Sequence, residues 1–180
     1  MDRLVALGSA CVSAPIVVSP EPAYDVTFDD GVVVATDAGV TQYRSVGGEL
    51  VAVSTLALPS RGQDLHRGYF VSEGPTKEEV DERTRVMVTL PDSNALALLN
   101  PDEDGLLVSA TLLDTGPQPM GVSYVPVPNG EGIGVATANA GDGTLSIFSQ
   151  QGHAGLAPTT TLNVGGAPRA VSAVEEYIGV

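Results

Sequence analysis

Gly165-Gly-Ala-Pro168-Arg-Ala-Val171 is one of four copies of a short motif, in which apolar residues follow a glycine- or proline-containing turn. The copies begin at residues 19, 62, 116 and 165, so they lie 43, 54 and 49 positions apart. A repeat of roughly 40–50 residues, built from short β-type segments, is typical of a propeller of sheet blades. The other copies are Ser19-Pro-Glu-Pro22-Ala-Tyr-Asp-Val26, Gly62-Gln-Asp-Leu65-His-Arg-Gly-Tyr69 and Gly116-Pro-Gln-Pro119-Met-Gly-Val122.

The same order of elements follows each motif. A turn leads to an apolar strand, a second turn leads to an alternating strand, and a more polar strand ends the unit. In the third repeat these are the apolar strand Ile133–Thr137, the turn Asn139–Gly143 and the alternating strand Thr144–Phe148. Because the first of these strands is apolar at nearly every position, we expect it to be buried on both faces. The pattern predicts four short strands per repeat.

The predicted fold class is therefore all-β. We expect a propeller of about four blades, each of four antiparallel strands, that forms an incomplete arc of a larger propeller. Residues 1–180 make one propeller segment. Its open sheet edges favour pairing with the remaining blades of a longer parent chain or with a second copy. The predicted units are a partial blade at 1–18, repeats at 19–61, 62–115 and 116–164, and a partial blade at 165–180.

The second repeat is longer because it carries a charged insertion at 75–85. Thr76 and Glu79 have the spacing of a helix N-terminal capping box, and Glu79 and Arg83 stand at positions i and i+4. These spacings predict one or two helical turns on a solvated loop.

Charge and composition exclude several classes of partner. The formal net charge is −14, with 8 basic and 22 acidic residues, which disfavours binding to nucleic acid. No apolar run reaches the ~18 residues that span a bilayer, so we expect no membrane insertion. Cys11 is the single cysteine. The run Leu4–Leu7 is too short for a secretory signal, yet a segment of a longer exported propeller would carry its signal elsewhere, and we favour an extracellular or periplasmic location.

Residues 135–148 resemble the repeat of the lactonase-type propellers in the YVTN repeat superfamily. The resemblance lies in Ala-Thr-Ala-Asn139 at the end of a strand, the turn Gly141-Asp-Gly-Thr144, and the alternating strand that follows. Enzymes of that family open sugar lactones, so the resemblance implies a hydrolase of the 6-phosphogluconolactonase type. Their histidine-containing motif is most similar to Arg61–Arg67 here, with Leu65 in place of its proline and Gly68 in place of its second histidine.

His66 and Arg67 are the candidate catalytic residues. A neutral imidazole can activate water, and a guanidinium can stabilise a developing oxyanion. A hydrogen-bonding surface role for the histidine is the alternative. We expect polar residues of the blade-end loops to bind a ligand on one face of the propeller, namely Asp25, Gln63, Asp64, Asn94, Asn139 and Asp142.

The segment Asn100-Pro-Asp102-Glu-Asp104-Gly105 has oxygen ligands at positions 1, 3 and 5 and a glycine at position 6, as at the start of a calcium loop. Position 12 is Thr111, whereas a full loop has an acid there. The alternative is a polar hairpin turn. Apart from this Ca²⁺ prediction, we expect no cofactor, since no phosphate-binding loop or Cys/His cluster is present.

The function that we favour from the sequence is a propeller module that binds a protein or a small-molecule ligand, or acts as a scaffold, in an exported or cell-surface protein. The alternative is a lactonase-like hydrolase, and a third hypothesis is a structural surface-layer module. The binding-module and hydrolase hypotheses differ in whether the protein hydrolyses a lactone by means of His66.

Overall fold

The computed structural model describes residues 25–29, 31–73, 80–126, 133–150 and 155–172. The predicted partial blade at 1–18, residues 19–24 of the first motif, residues 75–79 of the predicted insertion and residues 173–180 of the predicted last partial blade lie outside the described residues. Among the described residues no helix is long and apolar enough to cross a membrane.

The described residues form three antiparallel sheets, each of four strands in sequence order. The all-β prediction and the prediction of four strands per unit are confirmed for these sheets. Sheet 1 contains β1 (Asp25–Asp29), β2 (Gly31–Thr36), β3 (Gly39–Val46) and β4 (Glu49–Ala57). Sheet 2 contains β5 (Leu65–Glu73), β6 (Val80–Leu90), β7 (Ala95–Pro101) and β8 (Leu107–Asp114). Sheet 3 contains β9 (Pro119–Pro126), β10 (Ile133–Asn139), β11 (Thr144–Gln150) and β12 (Leu156–Asn163).

Each sheet is a meander, because every strand pairs with the strand that precedes or follows it in the chain. In sheet 3, Ala136 of β10 pairs with Ser123 of β9 on one side and with Ile147 of β11 on the other. Tight turns therefore suffice as connections between the second and third strands. A short 3-10 turn at Pro91–Ser93 joins β6 to β7 and ends at Asn94, which is left-handed with φ 50°.

The sheets pack face to face through two apolar layers. Val33 and Ala35 of sheet 1 pack with Val86 and Val88 of sheet 2. Met87, on the other face of β6, packs in the second layer with residues of sheet 3 that include Val122 and Val135. Because neighbouring residues of a strand point to opposite faces, the central strands are apolar at nearly every position. This confirms that the consecutive apolar runs are strands buried on both faces.

The predicted helical turns in the second repeat are wrong over residues 80–85. These residues belong to β6, and Val80–Thr84 pair with Tyr69–Glu73 of β5. The two strands of this hairpin extend past the rest of the sheet, so the added length continues a β ladder. Backbone pairing across the hairpin satisfies the N–H and C=O groups that a helix would otherwise have satisfied.

Candidate functional site

Asp64 links sheet 2 to sheet 3. It lies just before β5, and its backbone N–H donates to the Thr89 hydroxyl oxygen (3.0 Å) while its carbonyl accepts from the Thr89 N–H (3.0 Å). Its carboxylate oxygen accepts a hydrogen bond of 2.8 Å from the backbone N–H of Val122, a buried residue of β9. The neighbouring Gln63 donates its backbone N–H to the Thr89 carbonyl (2.9 Å). These contacts fix both residues at the end of the sheet where the predicted ligand face lies.

Asn94 makes a second link at the same end. Its carbonyl accepts from the Thr115 N–H (3.0 Å), and its side-chain oxygen accepts from the Gln118 N–H (3.1 Å). The left-handed conformation of Asn94 turns its side chain toward the segment that leads into β9. Asn94 therefore holds the entry to sheet 3 against the β6–β7 turn.

Asn139 is fully buried and organises the β10–β11 turn. Its amide nitrogen donates to the hydroxyls of Thr144 and Ser146, both at 2.9 Å, and its side-chain oxygen accepts from Thr137 (3.2 Å). Asp142 accepts from the N–H and the hydroxyl of Thr144 (3.2 and 2.7 Å). The two residues that the sequence marks as ligand-binding in this turn thus share Thr144 as a hydrogen-bond partner.

His66 lies on β5 and faces sheet 3. Its ring stands 5.2 Å from the ring of Tyr124 on β9, centroid to centroid, at an angle of 50°. It pairs across the ladder with Met87, and Arg85 is two residues from Met87 on the same face of β6. Diagonal neighbours of this kind lie within reach of long side chains. The structure therefore brings an imidazole, a phenol and a guanidinium to one wall between sheets 2 and 3.

The phenol of Tyr124 keeps its proton at neutral pH. Burial raises the pKa of Tyr124 well above its ordinary value, and the positive charge of Arg85 lowers it by a smaller amount. A protonated phenol can donate a hydrogen bond to a substrate oxygen. The Arg85 guanidinium also donates a hydrogen bond to the side-chain oxygen of Asn100 on β7 (3.2 Å). This contact orients the Arg85 side chain along the sheet.

Arg67 and Asp25 do not join this wall. Arg67 follows His66 on β5, and strand alternation directs it to the opposite face, toward sheet 1. Asp25 begins β1 and pairs with Ala35, which places its backbone at the end of sheet 1 that corresponds to Asp64 in sheet 2. The predicted pair His66 and Arg67 is thus split between two faces of one blade.

The predicted calcium loop is a hairpin turn between β7 and β8, at the end of sheet 2 away from Asp64. The Asp102 carboxylate accepts from the N–H groups of Asp104 and Leu106 (3.0 and 2.8 Å), and Asn100 contacts Arg85 and Thr111. Sheet 1 also contacts this turn, because the side-chain amide of Gln42 donates a hydrogen bond to the Gly105 carbonyl (2.9 Å). Over the described ranges, no three His, Cys, Asp or Glu side chains gather as a metal site. Calcium binding at Asn100, Asp102 and Asp104 stays a prediction.

Sequence reasoning missed Arg85 and Tyr124. Arg85 lies at the end of the supposed insertion, where the charge pattern favours a solvated loop. Tyr124 lies eight residues after the start of the third motif, as Phe70 does after the start of the second. Alignment of the motifs by position shows this correspondence, but not that a tyrosine from one repeat meets a histidine from another.

Comparison with solved structures shows a lactonase-type propeller fold. The chain superposes on a Bacteroides fragilis protein provisionally named a 6-phosphogluconolactonase, with TM-score 0.61 and 18% identity over 87% of this chain and 42% of that one. It also superposes on the periplasmic gluconolactonase of Pseudomonas aeruginosa, with TM-score 0.59 and 20% identity over 86% of this chain and 43% of that one. The chain thus spans less than half the length of either protein. No family model and no curated protein sequence matches it.

Proposed function

We propose that this chain is the part of a lactone hydrolase that carries its general base. The reacting site lies where the first strands of sheets 2 and 3 meet, with His66 as the base and with Tyr124 and Arg85 beside it. One observation carries the proposal: the imidazole of His66 stands 5.2 Å from the ring of Tyr124 across the gap between two blades. The fold likeness to two lactonases supports the same reading.

The chemistry needs one proton carrier and one source of positive charge. His66 takes a proton from water as the water oxygen bonds to the lactone carbonyl carbon. The carbonyl oxygen becomes an oxyanion, which the Arg85 charge and the Tyr124 hydroxyl stabilise. The ring C–O bond then breaks, and the departing oxygen receives the proton from the imidazolium. The product is a hydroxy acid whose carboxylate stays close to Arg85.

Arg85 takes the role that the sequence assigned to Arg67. Arg85 and His66 lie on one face of the hairpin β5–β6, whereas Arg67 faces sheet 1. Arg67 pairs with Val86 on the face toward sheet 1, so a substrate held at His66 does not reach it. The substrate class is a sugar lactone, because its hydroxyls suit the polar ends of the sheets.

Hydrolysis of glucono-δ-lactone tests the proposal. We expect the chain to accelerate acid release above the buffer rate, and His66→Phe, which keeps a ring against Tyr124, to remove the acceleration. Glu103→Gln is the matched control, because Glu103 is an exposed acid of the β7–β8 turn at the opposite end of sheet 2. A wild-type rate equal to that of buffer, or full activity in His66→Phe, contradicts the proposal.

A binding or scaffold module is the second candidate. The supporting observation is that Asp64, Asn94, Asn139 and Asp142 all accept hydrogen bonds from their own chain, so these loops serve the fold. In this reading the module belongs to an exported or cell-surface protein, with an extracellular or periplasmic location, and its partners are a protein, a small ligand or further blades. Light scattering tests it: the reading predicts self-association at the sheet edges together with no lactone turnover.

A further inference from the structure

Three polar side chains, those of Arg85, Asn100 and Thr111, lie on the face of sheet 2 that packs against sheet 3. Arg85 is two residues from Met87 on β6, and Asn100 is two residues from Leu98 on β7. Thr111 of β8 pairs with Leu98 across the ladder, and cross-strand partners share a face. Because Met87 and Leu98 are both buried between sheets 2 and 3, the three polar residues form a row from β6 to the outer strand.

Hydrogen bonds join the members of this polar row. A terminal nitrogen of the Arg85 guanidinium donates to the side-chain oxygen of Asn100 (3.2 Å). The side-chain nitrogen of Asn100 donates to the Thr111 hydroxyl (3.2 Å), and the Ser109 hydroxyl lies on the same side at 3.5 Å. Asn100 therefore bonds to both neighbouring strands, while Thr111 at the outer end is exposed.

The neighbours of the Asn100 amide determine its orientation. A guanidinium has N–H donors and no acceptor, so only the amide oxygen can bond to Arg85. The amide nitrogen then faces β8, where a hydroxyl oxygen can accept from it. Loss of the Thr111 hydroxyl removes an acceptor for that nitrogen and weakens the preference for this orientation. The outer strand thus influences the direction in which the amide oxygen points.

The placement of the Arg85 guanidinium matters because this group carries the positive charge of the wall of His66. Burial raises the pKa of Tyr124, and the charge of Arg85 lowers it by a smaller amount, so the guanidinium acts on the phenol. An arginine side chain is long and flexible, and a hydrogen bond at its end restricts where the charge can lie. Displacing a catalytic group by about 1 Å can slow a reaction on the order of 100-fold.

We propose that Asn100 is a positioning residue of the lactonase site and that Thr111 orients its amide. Asn100 holds the guanidinium of Arg85 where the oxyanion forms, so it acts through Arg85 and not on the substrate itself. The inference rests on the proposed function. It extends the site from the gap between two sheets to the exposed outer strand of sheet 2.

Rotation of the Arg85 guanidinium is the first test, measured by NMR of its terminal ¹⁵N groups in the full chain. The signals that disappear in Arg85→Gln identify the residue. We expect slow rotation in the wild type and fast rotation in Asn100→Ala. Asn100→Asp keeps an acceptor oxygen and should restore slow rotation. Amide spectra of each variant check that sheet 2 is intact.

Steady-state hydrolysis of glucono-δ-lactone is the second test. Asn100→Ala should lower kcat on the order of tenfold and leave KM within about twofold, because the substrate binds as before while the charge is misplaced. Thr111→Val should lower kcat about threefold, and Thr111→Ser, which keeps the hydroxyl, should match the wild type. Since Thr111 is exposed, these two variants should fold normally.

Thr160→Val is the matched control, because Thr160 is an exposed threonine on the outer strand of sheet 3. It pairs with Ile147, whose neighbour Phe148 faces sheet 2, so Thr160 points away from sheet 2. Its rate should equal that of the wild type.

Unchanged guanidinium rotation or unchanged kcat in Asn100→Ala overturns the positioning role and leaves lactone hydrolysis intact. The positioning role is also overturned if Thr160→Val loses as much activity as Thr111→Val, or if Thr111→Ser loses as much. A wild type that releases no acid, although its Arg85 guanidinium rotates slowly, overturns the proposed function and with it the catalytic part of this inference.

Discussion

The carboxylate of Asp64 accepts a 2.8 Å hydrogen bond from the backbone N–H of Val122, 58 residues further along the chain. Val122 is buried, at 3% exposure, so water cannot replace this acceptor. The bond joins the entry of sheet 2 to the first strand of sheet 3. Asp64 thus stabilises the packing of sheet 2 against sheet 3.

We expect Asp64→Ala to lower the free energy of unfolding by about 1–3 kcal/mol, because it leaves a buried N–H without an acceptor. Asp64→Asn keeps one oxygen and should lose less. Urea denaturation measures both variants, with Glu103→Ala as the exposed control. Equal stability of Asp64→Ala and the wild type would show that the bond contributes nothing.

Gly116→Ala should also destabilise the chain. A Cβ atom on Gly116 would lie 2.6 Å from the Asn139 amide nitrogen and 2.9 Å from the Thr144 hydroxyl oxygen. These side chains are tied to each other and cannot move freely, so we expect a loss of about 1–3 kcal/mol. Thermal unfolding measures the loss, and Thr160→Ala at an exposed position is the control. An unchanged melting temperature in Gly116→Ala would contradict this packing.

The strand content could be predicted from the sequence because each signal is local. Runs such as Val86–Leu90 are apolar on both faces, and the turn Asn139–Gly143 has residues that favour tight turns. The β5–β6 hairpin could not be predicted, because residues at positions i and i+4, such as Glu79 and Arg83, lie on one face both of a helix and of a strand. Pairing with Tyr69–Glu73 decided the structure of 80–85.

The roles of polar residues were harder to predict than the strands. Asp64 and Asn94 are polar residues of the kind that bind ligands. The sequence does not reveal that their side-chain oxygens instead accept from the backbone N–H groups of Val122 and Gln118, which lie 58 and 24 residues further along the chain. The contact between His66 and Tyr124 was likewise not predictable from the sequence. Its histidine was found by motif, but Tyr124 comes from the next repeat.

Alkaline pH should reveal the burial of Tyr124. Its pKa is raised in the folded chain, so above about pH 10 the unfolded chain loses this proton while the folded chain keeps it. Stability therefore falls as the pH rises beyond that point, by up to ~1.4 kcal/mol per pH unit for one group. Tyr124→Phe should reduce the fall. Urea midpoints at pH 8 and pH 11 measure it.

Burial also raises the pKa of Tyr43, so the wild type keeps a second alkaline-sensitive group. Tyr43→Phe is the parallel control, and the double variant should show the smallest loss between the two pH values. An equal loss in the wild type and in both single variants would contradict the assignment.

Arg85→Gln and Arg67→Gln separate the two arginines. If lactone hydrolysis uses the face of His66, Arg85→Gln should lower kcat on the order of 100-fold, as loss of an oxyanion donor does in other hydrolases. Arg67→Gln should change kcat and KM little, because Arg67 faces sheet 1. Steady-state rates with glucono-δ-lactone measure both, and matched unfolding curves exclude misfolding. The reverse ranking would favour the pair that the sequence alone suggests.

Strand order gives the chain a mechanical property. Every sheet is a meander made from one continuous stretch of polypeptide, and its neighbours hold it through side chains and a few hydrogen bonds. A force applied to the two termini can therefore peel off one sheet without unthreading the others. Single-molecule stretching should give a stepped trace, with one rupture per sheet instead of a single collapse.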